Sequence, residues 1–400
     1  MLLKSDILRI IDAQQNAFNT KKFGIERELL ENIPIEYFRL LIITGIKNSG
    51  KSTLLFQLFK EKFTNVLYIN FEHPRFYNFD SNDLFKLDEI IEEKASKILF
   101  FDEMEKLKGW NGYVQQKLDE GFQVVITGAN ASVLQNEVDS GFTGMNVSKE
   151  LFPFSFGEFC SYHSIEKTAE SVSKYLQDGG FPGFPEVHTE EFLNRLFDDL
   201  LVREIAVRNG IRDLRAFKRL AIHLLSNIGK RITGNQLKQF LGIKTTTTVM
   251  DYLSVLETGY LFFYVPKFSY SVRKQMINPR KVYSIDTGLV TANSASFDDS
   301  TEQLLENMVF LHLRKQVPEL YYYSEKYNCD FVVTRKNKVE QVIQVCAELK
   351  QDNLELELNG LFEAMEFFDL VEGTIVTMNQ TDRFERDGKV VQVVPFHEFV

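Results

Sequence analysis

Residues Gly45-Ile46-Lys47-Asn48-Ser49-Gly50-Lys51-Ser52 match the pattern G-x-x-x-x-G-K-[ST] in full. These residue types at this spacing point to one chemistry. Glycines at both ends let the backbone turn tightly, so that its N–H groups can face phosphate oxygens. The Lys51 ammonium can reach the terminal phosphates of a nucleoside triphosphate, and the Ser52 hydroxyl can ligate Mg²⁺. Lys47, Asn48, Ser49 and Thr53 complete the candidate phosphate-binding set. A second feature is Ile98-Leu99-Phe100-Phe101-Asp102-Glu103, four apolar residues ending in two carboxylates. Asp102 is the candidate to hold Mg²⁺ through water, and Glu103 the candidate base that polarises the attacking water. A third is Val124-Val125-Ile126-Thr127-Gly128-Ala129-Asn130, where a polar residue past the apolar run can sense the γ-phosphate. Asn130 is the first candidate for that role and Thr127 the second. Glu72 either pairs with a group of the phosphate site or is a solvated loop carboxylate.

The elements that must position these groups follow from hydrophobic patterning. Leu40–Thr44, Val66–Phe71, Ile98–Phe101 and Val124–Thr127 read as short buried strands, with helical or loop segments between them. Such alternation predicts an α/β fold with a doubly wound parallel sheet. The phosphate-binding loop then lies between a strand and a helix N-terminus, where the helix field favours an anion. Residues 1–37 read as helical, with Ile7, Ile10 and Ile11 on one face. From 151 to 200 the strand pattern is lost. Residues 201–260 read as helical, and the last hundred residues alternate between strand and helix again.

The 400-residue chain has 44% hydrophobic and 26% charged residues, which excludes a disordered or collagen-like protein. Its length predicts two or three domains. Cys160, Cys329 and Cys346 lie too far apart for a C-x-x-C pair and read as reduced, buried thiols. No apolar run suits a membrane span, and the N-terminus reads as an amphipathic helix rather than a signal peptide, so a cytoplasmic location is expected.

Further along, GIKNSGKST, YINFEHPR, ILFFDE, ITGAN, ELFPFSFGEF, GGFPGFPEV, RKQMINPRKVYSIDTGL and ENMVFLHL together resemble a bacterial and archaeal family of AAA-type P-loop ATPases with a C-terminal domain of unknown function. The resemblance implies ATP and Mg²⁺ as cofactors, with adenine preferred over guanine. It also implies a winged-helix domain and a nuclease-like α/β domain after the ATPase core. The expected division is a helical segment over 1–37, the ATPase core over 38–160, a helical lid or connector over 161–215, the winged helix over 216–292 and the nuclease-like domain over 293–400. One departure bears on turnover. Met145 stands where many relatives carry an arginine, a residue type that can accelerate hydrolysis at a γ-phosphate. Arg203 and Arg208 are possible substitutes.

The net charge of −10 hides a strong asymmetry. Residues 201–290 carry 15 lysines and arginines against five acidic residues, a net +10, which leaves −20 on the other 310. Within this basic stretch, Thr233–Ile243 reads as a helix and turn. Lys244-Thr245-Thr246-Thr247-Thr248 opens the next helix, and strands at 260–265 and 282–285 flank a wing with Arg273, Lys274 and Arg280. That is the footprint of a reader of double-stranded DNA. A basic lid docking on protein, within the chain or on a partner or second copy, accounts for it equally. In the C-terminal stretch Glu306, Asp330, Gln344 and Cys346 follow the order of a restriction-type nuclease site. Gln344 holds the second acidic position, however, and Cys346 the lysine position, with Lys350 the nearest lysine beyond. A degenerate domain without nuclease activity is expected, in which Glu306 and Asp330 can serve as a fold-stabilising pair.

The expected function is therefore an ATP-hydrolysing AAA-type switch coupled to a DNA-binding winged helix. The alternative is a slow regulatory nucleotide switch whose C-terminal domains bind protein.

Overall fold

The computed structural model describes residues 2–35, 38–129, 146–183, 189–295, 301–317 and 319–400. They form two compact units, Met1–Phe152 and Pro153–Val400.

The first unit holds α1 (Lys4–Asn19), β1 (Leu40–Thr44), α2 (Lys51–Lys62), β2 (Val66–Asn70), α3 (Leu84–Lys94), β3 (Ile98–Asp102), α4 (Trp110–Asp119), β4 (Gln123–Gly128) and β5 (Asn146–Glu150). The strands are parallel, in the order β2-β3-β4-β1-β5. The period of two along each strand divides the core. Leu40, Ile42, Leu99, Phe101, Val124 and Ile126 join α1, α3 and α4 on one face. Leu41, Ile43, Phe100 and Val125 face α2 on the other. This two-sided burial is why these strands are continuous apolar runs rather than alternating ones.

Two expectations need correcting in this unit. Among the described residues of 1–37 the α-helix is confined to α1, and a 3₁₀ turn covers Glu28–Leu30. The fifth strand was not anticipated, because Asn146–Glu150 is a half-exposed edge strand without an apolar run. At the opposite edge α1 covers β2. Gln14 donates to the Asn70 carbonyl at 3.0 Å and accepts from its N–H at 2.9 Å, while Gln15 accepts from the Tyr68 N–H at 2.9 Å. These side chains satisfy backbone groups that an open edge would leave exposed.

The second unit begins with α5 (Phe156–His163), α6 (Ala169–Asp178) and α7 (Glu190–Asp198), which runs into a π-helical stretch, Asp199–Ala206. Then come α8 (Leu214–Leu225), β6 (Arg231–Ile232), α9 (Gly234–Leu241), α10 (Thr246–Thr258), β7 (Phe262–Pro266), α11 (Val272–Ile277) and β8 (Arg280–Ser284). The strands form an antiparallel sheet in the order β6-β8-β7. After α12 (Thr287–Asn293) and α13 (Thr301–Gln316) the chain builds a mixed six-stranded sheet. Its elements are β9 (Leu320–Ser324), β10 (Asn328–Arg335), β11 (Lys338–Val345), α14 (Leu354–Phe367), β12 (Glu372–Thr377), β13 (Asp382–Arg386) and β14 (Lys389–Pro395), closed by α15 (Phe396–Phe399). The strand order is β13-β14-β12-β11-β10-β9.

Three of the motifs singled out in the sequence meet in this unit as a joint. The Phe154 N–H donates to the Gly180 carbonyl at 2.7 Å, and the Tyr175 hydroxyl to the Phe154 carbonyl at 2.6 Å. The Gly180 N–H donates to Asp286 Oδ2 at 2.6 Å. A Cβ on Gly180 would sit 2.4 Å from the Phe154 carbonyl oxygen, so only glycine lets these backbones approach. Asp286 also caps α12 by accepting from the Leu289 N–H at 3.0 Å. Burial pushes its carboxyl up to about 6, against the pull of these backbone donors. These motifs hold the fold together.

Candidate functional site

The candidate residues of the first unit converge at the C-terminal ends of β1, β3 and β4. In an open parallel sheet this is where ligands bind. The loop from Gly45 to Gly50 leaves β1 and feeds α2. Gly50 is left-handed, with φ 100°, and caps the helix. At Gly45 a Cβ would lie 2.1 Å from the Leu151 carbonyl oxygen, so a side chain there is excluded. Asn48 is also left-handed, with φ 67°. Thr53 belongs to the first turn of α2, its N–H bonded to the Gly50 carbonyl at 3.0 Å.

Lys51 is buried, 4% exposed. Its ammonium donates to the Gly45 carbonyl at 2.9 Å and the Ile46 carbonyl at 3.3 Å, and lies 3.5 Å from Glu103 Oε1. Lys47 pairs with Glu72 and sits 3.6 Å from Glu103 Oε1. Glu72 also takes Lys106 at 3.2 Å. Of the two readings left open for Glu72, the structure favours pairing with the loop.

Asp102 is the hub. Ser52 donates to its Oδ2 at 2.6 Å and the Tyr68 hydroxyl does so at 2.7 Å, while Thr127 donates to its Oδ1. Burial first, and then the Asp102 charge, drive the Tyr68 hydroxyl strongly upward, which keeps it protonated as a donor. Glu103 is buried and left-handed, with φ 54°. Its N–H is held by the Thr127 hydroxyl at 3.0 Å. A non-glycine residue in that region carries strain, which persists where the surroundings fix it. Thr127 therefore fixes both acids, the side chain of one and the backbone of the other.

Asn130 and Met145 lie outside the described residues. Arg203 and Arg208 are in the second unit, and each pairs with a carboxylate four residues earlier, Asp199 at 3.2 Å and Glu204 at 2.6 Å.

Arg27 belongs to no motif legible in the sequence. Its buried guanidinium donates to the Ser49 carbonyl at 2.7 Å and the Phe152 carbonyl at 2.7 Å. The connecting segment is gripped by Gln57, which donates to the Phe23 and Ile25 carbonyls and accepts from the Arg27 N–H at 3.2 Å. Arg27 thus orients the loop from behind and adds positive charge beside it. Glu105 was also missed. It accepts from the Ala129 N–H at 2.8 Å and anchors the chain after β4.

The residues present fit a nucleoside triphosphate with Mg²⁺. The loop admits no side chain at Gly45. Ser49 Oγ is buried inside the loop with no hydrogen-bond partner among the described residues. Ser52 and Asp102 form the hard-oxygen pair that such an ion takes.

In the second unit Glu306 and Asp330 do come together, around the ammonium of Lys281 at 2.8 and 2.6 Å. Gln344 bridges the Asp330 N–H and Glu357 at 3.1 and 2.6 Å. Burial pushes the Cys346 thiol up to about 12, so it stays neutral. Lys350 is exposed and pairs with Glu348 at 2.9 Å. It makes no bond to Gln344 or Asp330. Cys160, Cys329 and Cys346 are free and buried. Among the described residues no helix is long and apolar enough to cross a membrane.

Comparison with known proteins places these sites in context. Residues 37–160 match a family described as an AAA domain, and residues 169–300 match a domain of unknown function, DUF8612. The chain is 31% identical over 440 aligned positions to the "Uncharacterized protein MJ1544" of Methanocaldococcus jannaschii, covering 98% of both chains. It is 26% identical over 383 positions to an uncharacterized protein of Haemophilus influenzae, covering 88% of this chain and 92% of that one. Among solved structures, the Walker-type ATPase PABY2304 of Pyrococcus abyssi aligns with 69% of this chain and 99% of its own. The identity is 15% and the TM-score 0.42, too low to carry an argument.

Proposed function

The chain belongs to the same family as the M. jannaschii protein and carries an AAA-type ATPase domain, and on that premise we propose that it is an ATP-hydrolysing switch whose nucleotide state governs a DNA-binding module in the second unit. One observation carries the hydrolysis reading. Lys51, Ser52, Asp102 and Glu103 converge at the C-terminal ends of the strands, with Thr127 fixing both acids.

In this reading the loop N–H groups and Lys51 bind the phosphates, and Ser52 and Asp102 hold Mg²⁺. The ion would neutralise charge on the β- and γ-phosphates when bound. Glu103 accepts the proton of the attacking water. Its backbone is already fixed, so little reorganisation is needed at the moment of reaction. Arg27 keeps the Ser49 carbonyl turned away from the phosphate side.

The DNA reading is supported by the order helix, strand, two helices, strand, short helix and strand over Leu214–Ser284, which is similar to that of a winged helix. Lys244, Arg273 and Lys274 are exposed and have no ion pair among the described residues. Tyr270, Met276 and Ile277 stand exposed on the connection from β7 to β8, the segment that also carries Arg273 and Lys274. Of the four threonines, Thr245 caps α10 and bonds the Thr248 hydroxyl, and Thr246 bonds Asn235, which leaves exposed Thr247 for a ligand. The second reading, a slow regulatory switch, is favoured by Met145 in place of an arginine.

Steady-state ATP hydrolysis with and without duplex DNA separates the two. The proposal expects DNA to raise the rate, and charge reversal at Lys244 and Arg273 to remove the stimulation while leaving the basal rate. Tight ATP binding with no turnover and no response to DNA would select the regulatory switch.

A further inference from the structure

Lys281 is a lysine in a place that rarely tolerates one. It projects from β8 into the second unit and is 7% exposed. Its ammonium donates to Glu306 Oε1 on α13 at 2.8 Å and to Asp330 Oδ1 on β10 at 2.6 Å. Three elements distant in sequence thus meet on a single nitrogen.

Both acids are also held by neutral donors that do not depend on the lysine. The Tyr283 hydroxyl donates to Glu306 Oε1 at 2.6 Å, and the Val345 N–H to Asp330 Oδ2 at 3.0 Å. Glu306 is further confined by the backbone at Gly229, where a Cβ would lie 2.7 Å from its Oε2. The two carboxylates are therefore oriented toward a common point whatever cation stands there. Like charges this close repel in a buried site unless a cation lies between them. Among the described residues no group of three or more His, Cys, Asp or Glu is arranged to hold a metal ion. The cation in place belongs to the chain.

We propose that Lys281 serves as a built-in substitute for a divalent cation between Glu306 and Asp330, keeping this part of the chain metal-free and holding β8 to α13 and β10. Removing the ammonium while leaving its space should turn the pair into a divalent-cation site. Hard divalent ions take carboxylate oxygens at roughly 2.0–2.6 Å, so the acids need to close in only slightly. The proposal does not depend on the ATPase or DNA reading.

The test is uptake of Mn²⁺ by the full chain without nucleotide, counted by electron paramagnetic resonance, with melting temperature followed in parallel. Wild type is expected to melt at the same temperature with EDTA or Mn²⁺. Lys281→Ala should melt roughly 10 °C lower, as expected when one partner of a buried ion cluster is lost. It should bind one more Mn²⁺ than wild type and regain much of the lost melting temperature with the metal. Lys281→Met fills the space without charge and should gain no ion. Adding Asp330→Asn to Lys281→Ala should abolish the extra ion.

The proposal is overturned if Lys281→Ala takes up no additional Mn²⁺, or if its uptake survives Asp330→Asn. It is equally overturned if wild type shows an Mn²⁺-dependent shift that Asp330→Asn removes. Should Lys281→Ala fold poorly, refolding in millimolar Mn²⁺ is the deciding variant of the experiment. Recovery supports the proposal, and its absence counts against it.

Discussion

Lys51 and Lys281 are buried to nearly the same degree, 4% and 7% exposed, yet they are held in opposite ways. Lys51 is held by two loop carbonyls and lies at the looser distance of 3.5 Å from one carboxylate. Neutral acceptors of this kind can be exchanged for phosphate oxygens at small cost. Lys281 is locked between two carboxylates at 2.6 and 2.8 Å, and a tyrosine hydroxyl shares one of them. Nothing is left there for a ligand to replace. On the proposed reading the same residue type is a binding group in one unit and a fastening in the other, and the difference lies in what neutralises it.

The largest effects should divide along that line. Lys51→Ala is expected to lower ATP turnover at least about a hundredfold, because phosphate charge in the transition state loses its partner, while the melting temperature hardly changes. Lys281→Met should do the reverse. Stability falls by about 3–5 kcal/mol, since two buried carboxylates lose their counter-charge, and turnover per folded molecule persists. Thermal melts beside phosphate-release assays check both, and a turnover loss in folded Lys281→Met would break the contrast.

Thr127→Val comes next. It removes a hydroxyl that bonds Asp102 and the Glu103 N–H, and should cost about 1–3 kcal/mol of stability. Turnover should fall by roughly tenfold as the two acids lose alignment. Chemical denaturation and steady-state kinetics measure the two losses.

The smallest effect is on pH. Burial raises the Glu357 carboxyl to about 7 from its ordinary 4.5, with Asp330 and Glu302 adding to the shift. The folded state then binds this proton more tightly than the unfolded state does. Its contribution to stability is complete below about 4.5 and is lost as pH rises through about 7. Glu357→Gln should flatten that decline when melts are compared between pH 5 and 8.

What the sequence makes legible follows the same division. The phosphate-binding loop and the Asp102-Glu103 pair are local patterns attached to apolar strands, so the sequence shows both the candidate site and its scaffold. Arg27 was invisible because its contacts with Ser49 and Phe152 are made by tertiary folding and leave no spacing to find. Strand β5 was missed because an edge strand need not be apolar. The basic stretch holds charges of two kinds. Lys281, Arg231 and Lys267 are among its 15 lysines and arginines. Lys281 meets Glu306 and Asp330, Arg231 bonds Ser324 and Asn328, and Lys267 pairs with Glu325. Composition counts charges, but only the fold shows which ones remain available.

On the proposed reading this site breaks the terminal phosphate bond with Glu103 as the base. Single-turnover phosphate release from prebound ATP, in wild type and in Glu103→Gln, tests it most directly. Wild type should release phosphate, and Glu103→Gln should retain ATP with release slowed by at least about a hundredfold. Equal release from both proteins would contradict it.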